Sequence, residues 1–215
     1  AISLLGQSSQ QLSSLVLTLM AAAVLSIADY GLYALSIVFA ELAVLFAYSG
    51  FFGFLVVAKS DDASLISTMF WAILGVGCAS GTLMLAFARP LAMVFAIDGL
   101  APLLQVLAIL QPFGAVTAWA SARMMREGRM RRYYLLLFQG NLSSLGFGLT
   151  LLAVWPSIYA LIAYRALRVA INFALFLRAC PLPKRLTFNT QIFRDAFRFA
   201  RSLYVARIAE FFSSF

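Results

Sequence analysis

The chain has 215 residues, of which 63% are hydrophobic and 11% charged, with a formal net charge of +8 and a mean hydropathy of +0.94. A soluble domain is roughly 45–50% apolar and roughly 25% charged, so this composition excludes a water-soluble protein and points to an integral membrane protein. There is no histidine, which excludes a histidine-based metal site or general base; no metal or cofactor is expected.

A membrane-crossing helix needs about 20 mostly apolar residues. The first candidate is Leu4–Ile27, where Gln7, Gln11, Ser14 and Thr18 follow helical spacing. The second, Gly31–Ala58, holds Glu41 deep within it. The third, Leu65–Phe87, contains the small-residue pair Gly77 and Gly81, and the stretch Ala88–Pro102 behind it reads as the longest external loop. In the fourth, Leu103–Ala122, Pro112 predicts a kink that frees the carbonyl of Ala108. The fifth, Tyr133–Trp155, offers the polar stripe Gln139, Ser143, Gly146 and Thr150, together with Gly140, Ser144 and Gly148, which are packing devices. The sixth is Ser157–Ala179. A seventh begins near Leu203 and adds Arg207 and Glu210.

Between the sixth and seventh, Phe193, Phe197, Ala200 and Tyr204 fall at i, i+4, i+7 and i+11, with Arg194, Arg198 and Arg201 on a neighbouring face. That pattern fits an interfacial amphipathic helix, or equally the basic start of the seventh span. The expected fold is therefore all-α: a polytopic transmembrane helical bundle. Residues 1–181 form an N-terminal lobe of six spans, 182–202 a cytoplasmic or interfacial amphipathic linker, and 203–215 the start of the seventh span. The chain begins without methionine and stops inside an apolar run, so it reads as part of a larger machine. Cys78 and Cys180 lie in or beside apolar segments and imply no disulfide framework.

Lysine and arginine are concentrated in alternate connections. Lys59, then Arg123 to Arg132, then Lys184, Arg185 and Arg194 to Arg201 occupy the second, fourth and sixth, whereas the others hold only Arg89. This asymmetry sets those connections and the N-terminus on the cytoplasmic side. It explains the positive charge as a topology signal, so no nucleic-acid partner is expected.

The chemistry concentrates in "IYALIAYRALRVAINFALFLRAC", Ile158 to Cys180, where Arg165 and Arg168 lie about 15 Å from either end. A charge at mid-bilayer costs about 2.5–3.5 kcal/mol on insertion scales. Spaced i, i+3, the two share a face that Asn172 extends. Glu41 lies at a similar depth, but one carboxylate cannot neutralise two arginines, and the surplus charge suits an anion such as phosphate. A purely structural Glu41–arginine ion pair is the alternative. Gln11 and Gln139 are candidates for wetting such a cavity for hydroxyl-rich ligands. No Walker-type glycine loop, metal-ligand cluster or long extramembrane loop is present, so an enzyme is disfavoured.

The stretch "LSIADYGLYALSIVFAELAVLFAYSGFFGFLVV" resembles the opening of bacterial oligosaccharide and polysaccharide flippases, in which an "L-x-x-x-x-[FY]-G-x-Y" turn joins the first two spans, here Leu25 to Tyr33. "LAFARPLAMVF", "IYALIAYRALRVAINFALFLRACPLPKRLTF" and "FRDAFRFARSLYVARI" are similar to the same family. Where such proteins often have "dlGl", this chain has "YSGFF", and no residue is carried over as a family site. The family belongs to the superfamily of multidrug, oligosaccharidyl-lipid and polysaccharide exporters. The resemblance implies a two-lobed transporter of the bacterial inner membrane, of which this chain is the N-terminal lobe and the start of the second. It also implies alternating-access transport of polyprenyl-pyrophosphate-linked oligosaccharide. Partners would be that lipid-linked sugar, membrane lipids and a coupling ion. On the residue pattern described above, and not on the resemblance, substrate contacts would fall to Arg165, Arg168, Asn172, Glu41, Gln139 and Gln11. The alternatives are a multidrug or cation antiporter of the same superfamily, and a membrane-embedded polymerase or ligase acting on lipid-linked sugars.

Overall fold

In a computed structural model, residues 2–58, 63–183 and 187–213 are described, without the side chains of 2–8, 10, 45–49 and 204–213. Lys59, Lys184 and Arg185, and the side chains of Gln7, Tyr204, Arg207 and Glu210, lie outside the described residues. The chain forms seven α-helices in this range: α1 (Ile2–Val24), α2 (Ile27–Val57), α3 (Ala63–Phe95), α4 (Leu100–Arg126), α5 (Met130–Val154), α6 (Ile158–Ala179) and α7 (Thr190–Ser213). The protein is an all-α polytopic bundle. Five helices carry a stretch long and apolar enough to cross a membrane; in α1 the apolar stretch Gln11–Val24 is shorter. Leu83, Ile109, Leu142 and Phe147 are all more than half exposed, a surface that suits lipid tails and not water.

Local chemistry sets the helix ends. Ser26 caps α2, its Oγ accepting from the Asp29 amide at 3.1 Å while its hydroxyl donates to the Asp29 carboxylate at 2.7 Å. Ser157 caps α6 by accepting from the Tyr159 amide. At the end of α4, Gly128 takes φ +69°. Its amide then donates to Met125, and that of Arg129 to Met124, which satisfies the last free carbonyls.

The end of α3 departs from expectation. The stretch expected as a loop from Ala88 remains helical through Arg89 and Pro90 to Phe95. Proline removes one backbone hydrogen bond, but Ala88, Leu91 and Ala92 pack into a core with α2, α4 and α6 that keeps the helix going. It stops at Ala96, φ 53°, where the Ala96 and Ile97 amides donate to Met93 and Ala92. The motif matches the end of α4, with alanine where α4 has glycine.

Packing follows the small residues. α3 lies along α4 because Gly77 and Gly81 have no side chain: a Cβ on Gly81 would sit 2.7 Å from the Ala108 carbonyl oxygen, and one on Gly77 would strike the Ala115 side chain. The carbonyl released by Pro112 thus faces Gly81 of α3. One core joins the ends of α2, α4 and α6 to the starts of α3 and α7, around Trp119, Met69 and Phe176. At the opposite end, one cluster unites α2, α3, α4 and α6, and another unites α1, α5 and α6. α2 touches α1 and α6 only sparingly, so a gap is left between these cores at mid-depth.

From Thr190 on, the segment expected as a linker runs into the expected start of the seventh span as one continuous helix, α7. Asn189 caps it, its Oδ1 accepting from the Gln191 amide at 2.9 Å. The preceding backbone is tied to α3, where the Thr187 amide donates to Ser67 Oγ at 2.9 Å and the Asn189 amide to Thr68 Oγ1 at 3.0 Å. Ala196 and Ala200 are buried, Phe193 packs on Phe51 of α2, and Phe197 is exposed. The face of α7 toward the bundle therefore runs through Phe193, Ala196 and Ala200, while Arg194, Arg198 and Arg201 are exposed.

Candidate functional site

α6 crosses the mid-depth gap, and its register decides which residues enter it. Ile158 and Ile162 join the core with α4, Leu161 and Tyr164 the core with α1 and α5, and Phe176 the core at the far end. The remaining face presents Arg165, Arg168 and Asn172 to a cavity of about 260 Å³. α2 contributes Ala40, Glu41 and Val44 to its wall, and α4 contributes Leu107, Leu110, Gln111 and Gly114.

Within this cavity, Arg165 Nη2 donates to Glu41 Oε1 in a direct ion pair. The two side chains are 23% and 53% exposed. Arg168 forms no ion pair and no hydrogen bond among the described residues. One carboxylate thus faces two guanidinium groups, and a unit of positive charge remains at mid-depth. A guanidinium carries five N–H donors in a fork that matches phosphate oxygens, so most of the donors of this pair are uncommitted.

The neutral groups around the pair are also incompletely used. Gln111 is only 5% exposed, and its Oε1 has no hydrogen-bond partner among the described residues. Asn172 Oδ1 is buried without a partner as well; it lies against Gly140 of α5, where an added Cβ would collide with it. An unsatisfied buried amide oxygen costs about 1–3 kcal/mol, and such atoms call for an explanation in function. Here they flank an uncompensated cation.

On the other side of the same arginines, a second cavity of about 260 Å³ opens between α1, α2 and α6. Ser14, Thr18, Tyr30, Tyr33 and Tyr164 line it together with Arg165 and Arg168. The arginine pair is the partition between the two spaces.

The structure brings Arg165, Arg168, Glu41 and Asn172 together and leaves the two glutamines outside. Gln139 is exposed on α5, and the stripe it heads, Ser143, Gly146 and Thr150, is not buried. The buried face of α5 is Gly140, Asn141, Ser144, Gly148 and Leu152. Gln11 is exposed on α1, one turn before Ser14, and lines neither cavity. Reading polar residues alone missed Gln111 and the three tyrosines. Gln111 had a visible signal, since it stands beside Pro112 and three residues before Gly114, where a kinked helix with small neighbours leaves space. The tyrosines had none beyond the adjacency of Tyr164 to Arg165.

A family described as polysaccharide biosynthesis protein matches residues 20–214. The chain belongs to that family. No curated protein and no solved structure matches it. As a member of the polysaccharide biosynthesis protein family it is a multi-pass membrane protein. The match spans α2 to α6 and so includes Glu41, Gln111, Arg165, Arg168 and Asn172, whereas Ser14 and Thr18 precede it.

Proposed function

We propose that this protein carries a polyprenyl-diphosphate-linked oligosaccharide across the bacterial inner membrane by alternating access, with its N-terminus in the cytoplasm. The observation that carries the reading is Arg168, a cation at mid-depth with no ion pair among the described residues, beside the Arg165–Glu41 pair. A charge is kept at that depth when it meets a partner or a substrate, and a diphosphate supplies the missing negative charge in the geometry that a guanidinium fork accepts. Glu41 tunes that charge, holding Arg165 until the substrate competes for it. Membership of the polysaccharide biosynthesis family makes a phosphate-linked sugar the fitting anion, and the concentration of arginine at one end of the bundle supports the orientation.

The test is charge reversal in the full-length protein. Arg168→Glu is expected to stop surface-polysaccharide export, by about 100-fold or more, with the protein at its normal level in the membrane. Combining it with Glu41→Arg is expected to leave export blocked. Loss of protein with the single change, and recovery of both protein and export in the combination, would show a structural ion pair and sink the proposal. Glu41-dependent transport of a cationic dye by the unaltered protein would favour an antiporter in its place.

A further inference from the structure

The first half of α7 carries a surface that a transported substrate does not explain. Arg194, Phe197, Arg198 and Arg201 fall at i, i+3, i+4 and i+7 and are all exposed, Phe197 by 56%. That spacing puts them on one face of the helix, turned away from the Phe193, Ala196 and Ala200 side that packs into the bundle. Asp195 lies next to this face and pairs with Arg198 at 3.6 Å, whereas Arg194 and Arg201 have no ion pair among the described residues. Three arginines against one aspartate leave a surplus of two positive charges. Phe188, 52% exposed, adds a second open ring at the head of the helix, against Phe193 at 5.5 Å.

The depth of this face is fixed by its neighbours. Tryptophan concentrates where a bilayer meets water, and at this end of the bundle Trp71 of α3 is 39% exposed. The backbone leading into α7 is tied to Ser67 and Thr68, one turn of α3 nearer the end of the bundle than Trp71, so α7 starts at headgroup level. It then crosses α2 obliquely. Phe193 stacks on Phe51 and Phe199 lies against Phe54, so six residues of α7, about 9 Å, advance only three residues along α2, about 4.5 Å. That advance is toward the end of α2, so over this stretch α7 lies across the end of the bundle and does not descend beside it. From this placement we infer that the exposed face of α7 is a docking surface for the headgroups of anionic phospholipids. The guanidinium forks of Arg194 and Arg201 meet lipid phosphates, the positive surplus favours a headgroup with net negative charge, and the Phe197 ring between them enters the acyl boundary. An acidic protein surface would match the charges equally but would leave no apolar phase for a ring held open among arginines. The inference is independent of what Arg165 and Arg168 bind.

The experiment puts the photo-crosslinker p-benzoylphenylalanine in place of Phe197 in the full-length protein. The protein is reconstituted in vesicles of equal parts phosphatidylcholine and phosphatidylglycerol, and the adducts are identified by mass spectrometry. Phosphatidylglycerol adducts are expected to exceed phosphatidylcholine adducts by about tenfold, given the attraction of each arginine to an anionic surface. With Arg194→Gln, Arg198→Gln and Arg201→Gln added, that ratio is expected to fall toward one while lipid adducts persist. Raising the salt to about 1 M, where the Debye length shrinks from about 10 Å to about 3 Å, is expected to lower the ratio in the protein that keeps its arginines, a reading that does not depend on the triple variant folding. Adducts in proportion to the bilayer composition, or a ratio that ignores both the arginines and salt, overturn the proposal. The same crosslinker used in native membranes tests the rival occupant: adducts to a polypeptide in place of lipid overturn it as well.

Discussion

The arginines of this protein live in two settings. At the end of α4, Arg123 and Arg126 are consumed by the fold. Arg126 Nη1 donates to the carbonyl oxygens of Leu55 at 3.0 Å and Ala58 at 2.6 Å, closing the end of α2. Arg123 bonds Glu127 at 2.8 Å and the Pro181 carbonyl at 3.1 Å, and lies over the Trp119 ring. At mid-depth, Arg165 takes the one carboxylate, and Arg168 has no ion pair or hydrogen bond among the described residues. The costlier location is the one with fewer partners. A cation that serves packing is placed where carbonyls are free and water is near, and this contrast is what supports the proposal that the mid-depth pair meets a substrate.

The largest change expected from breaking this contrast is at Arg126. Arg126→Ala leaves two carbonyls at the end of α2 without their charged donor, and a hydrogen bond from a charged group is worth about 1.5–3 kcal/mol. A loss of about 3 kcal/mol is expected, read as a lower thermal midpoint in detergent and less protein in the membrane, with export per molecule unchanged. Export lost at normal protein level would mean that the helix-end arginines also serve the substrate. Next is Glu41→Gln, which keeps the shape and removes the competing charge. Affinity for inorganic pyrophosphate is expected to rise about tenfold, about 1.4 kcal/mol; an unchanged affinity would show that Glu41 does not restrain Arg165. The smallest effect sharpens the contrast between helix ends. α4 stops on Gly128 and α3 on Ala96, both at positive φ, and a left-handed residue with a Cβ costs about 1–2 kcal/mol. Ala96→Gly should therefore stabilise by about 1 kcal/mol with transport unaltered, checked by the thermal midpoint.

Much of this was legible from residue order. The apolar runs located the helices, and Arg165, Arg168 and Asn172 shared a face because three- and four-residue spacing fixes it. Pairing Glu41 with an arginine needed only their common depth. The failures have physical causes. On α5 the polar stripe headed by Gln139 was preferred, yet the next positions around the helix, Gly140, Asn141, Ser144 and Gly148, are the buried ones. In lipid, burial follows smallness more closely than polarity, and a step of one residue turns the helix by about 100°. Past Phe87, Pro90 suggested an exit from the helix, but tertiary packing of Leu91 and Ala92 overrode it. The tyrosines of the second cavity were invisible for another reason. What makes them notable is that they line a cavity with Arg165 and Arg168, and a cavity belongs to the assembled structure.

The attachment of α7 has a mechanical consequence. Its start is fastened to α3 by two hydroxyls, and its aromatic side chains lie on α2, with Phe193 stacked on Phe51 at 6.0 Å and Phe199 against Phe54 at 5.8 Å. Phe51 is ten residues from Glu41 along α2, about 15 Å of helix. A tilt imposed on α7 has to be shared by α2, which packs far more on α3 and α4 than on α1 and α6, so the carboxylate that meets Arg165 would move together with that three-helix unit.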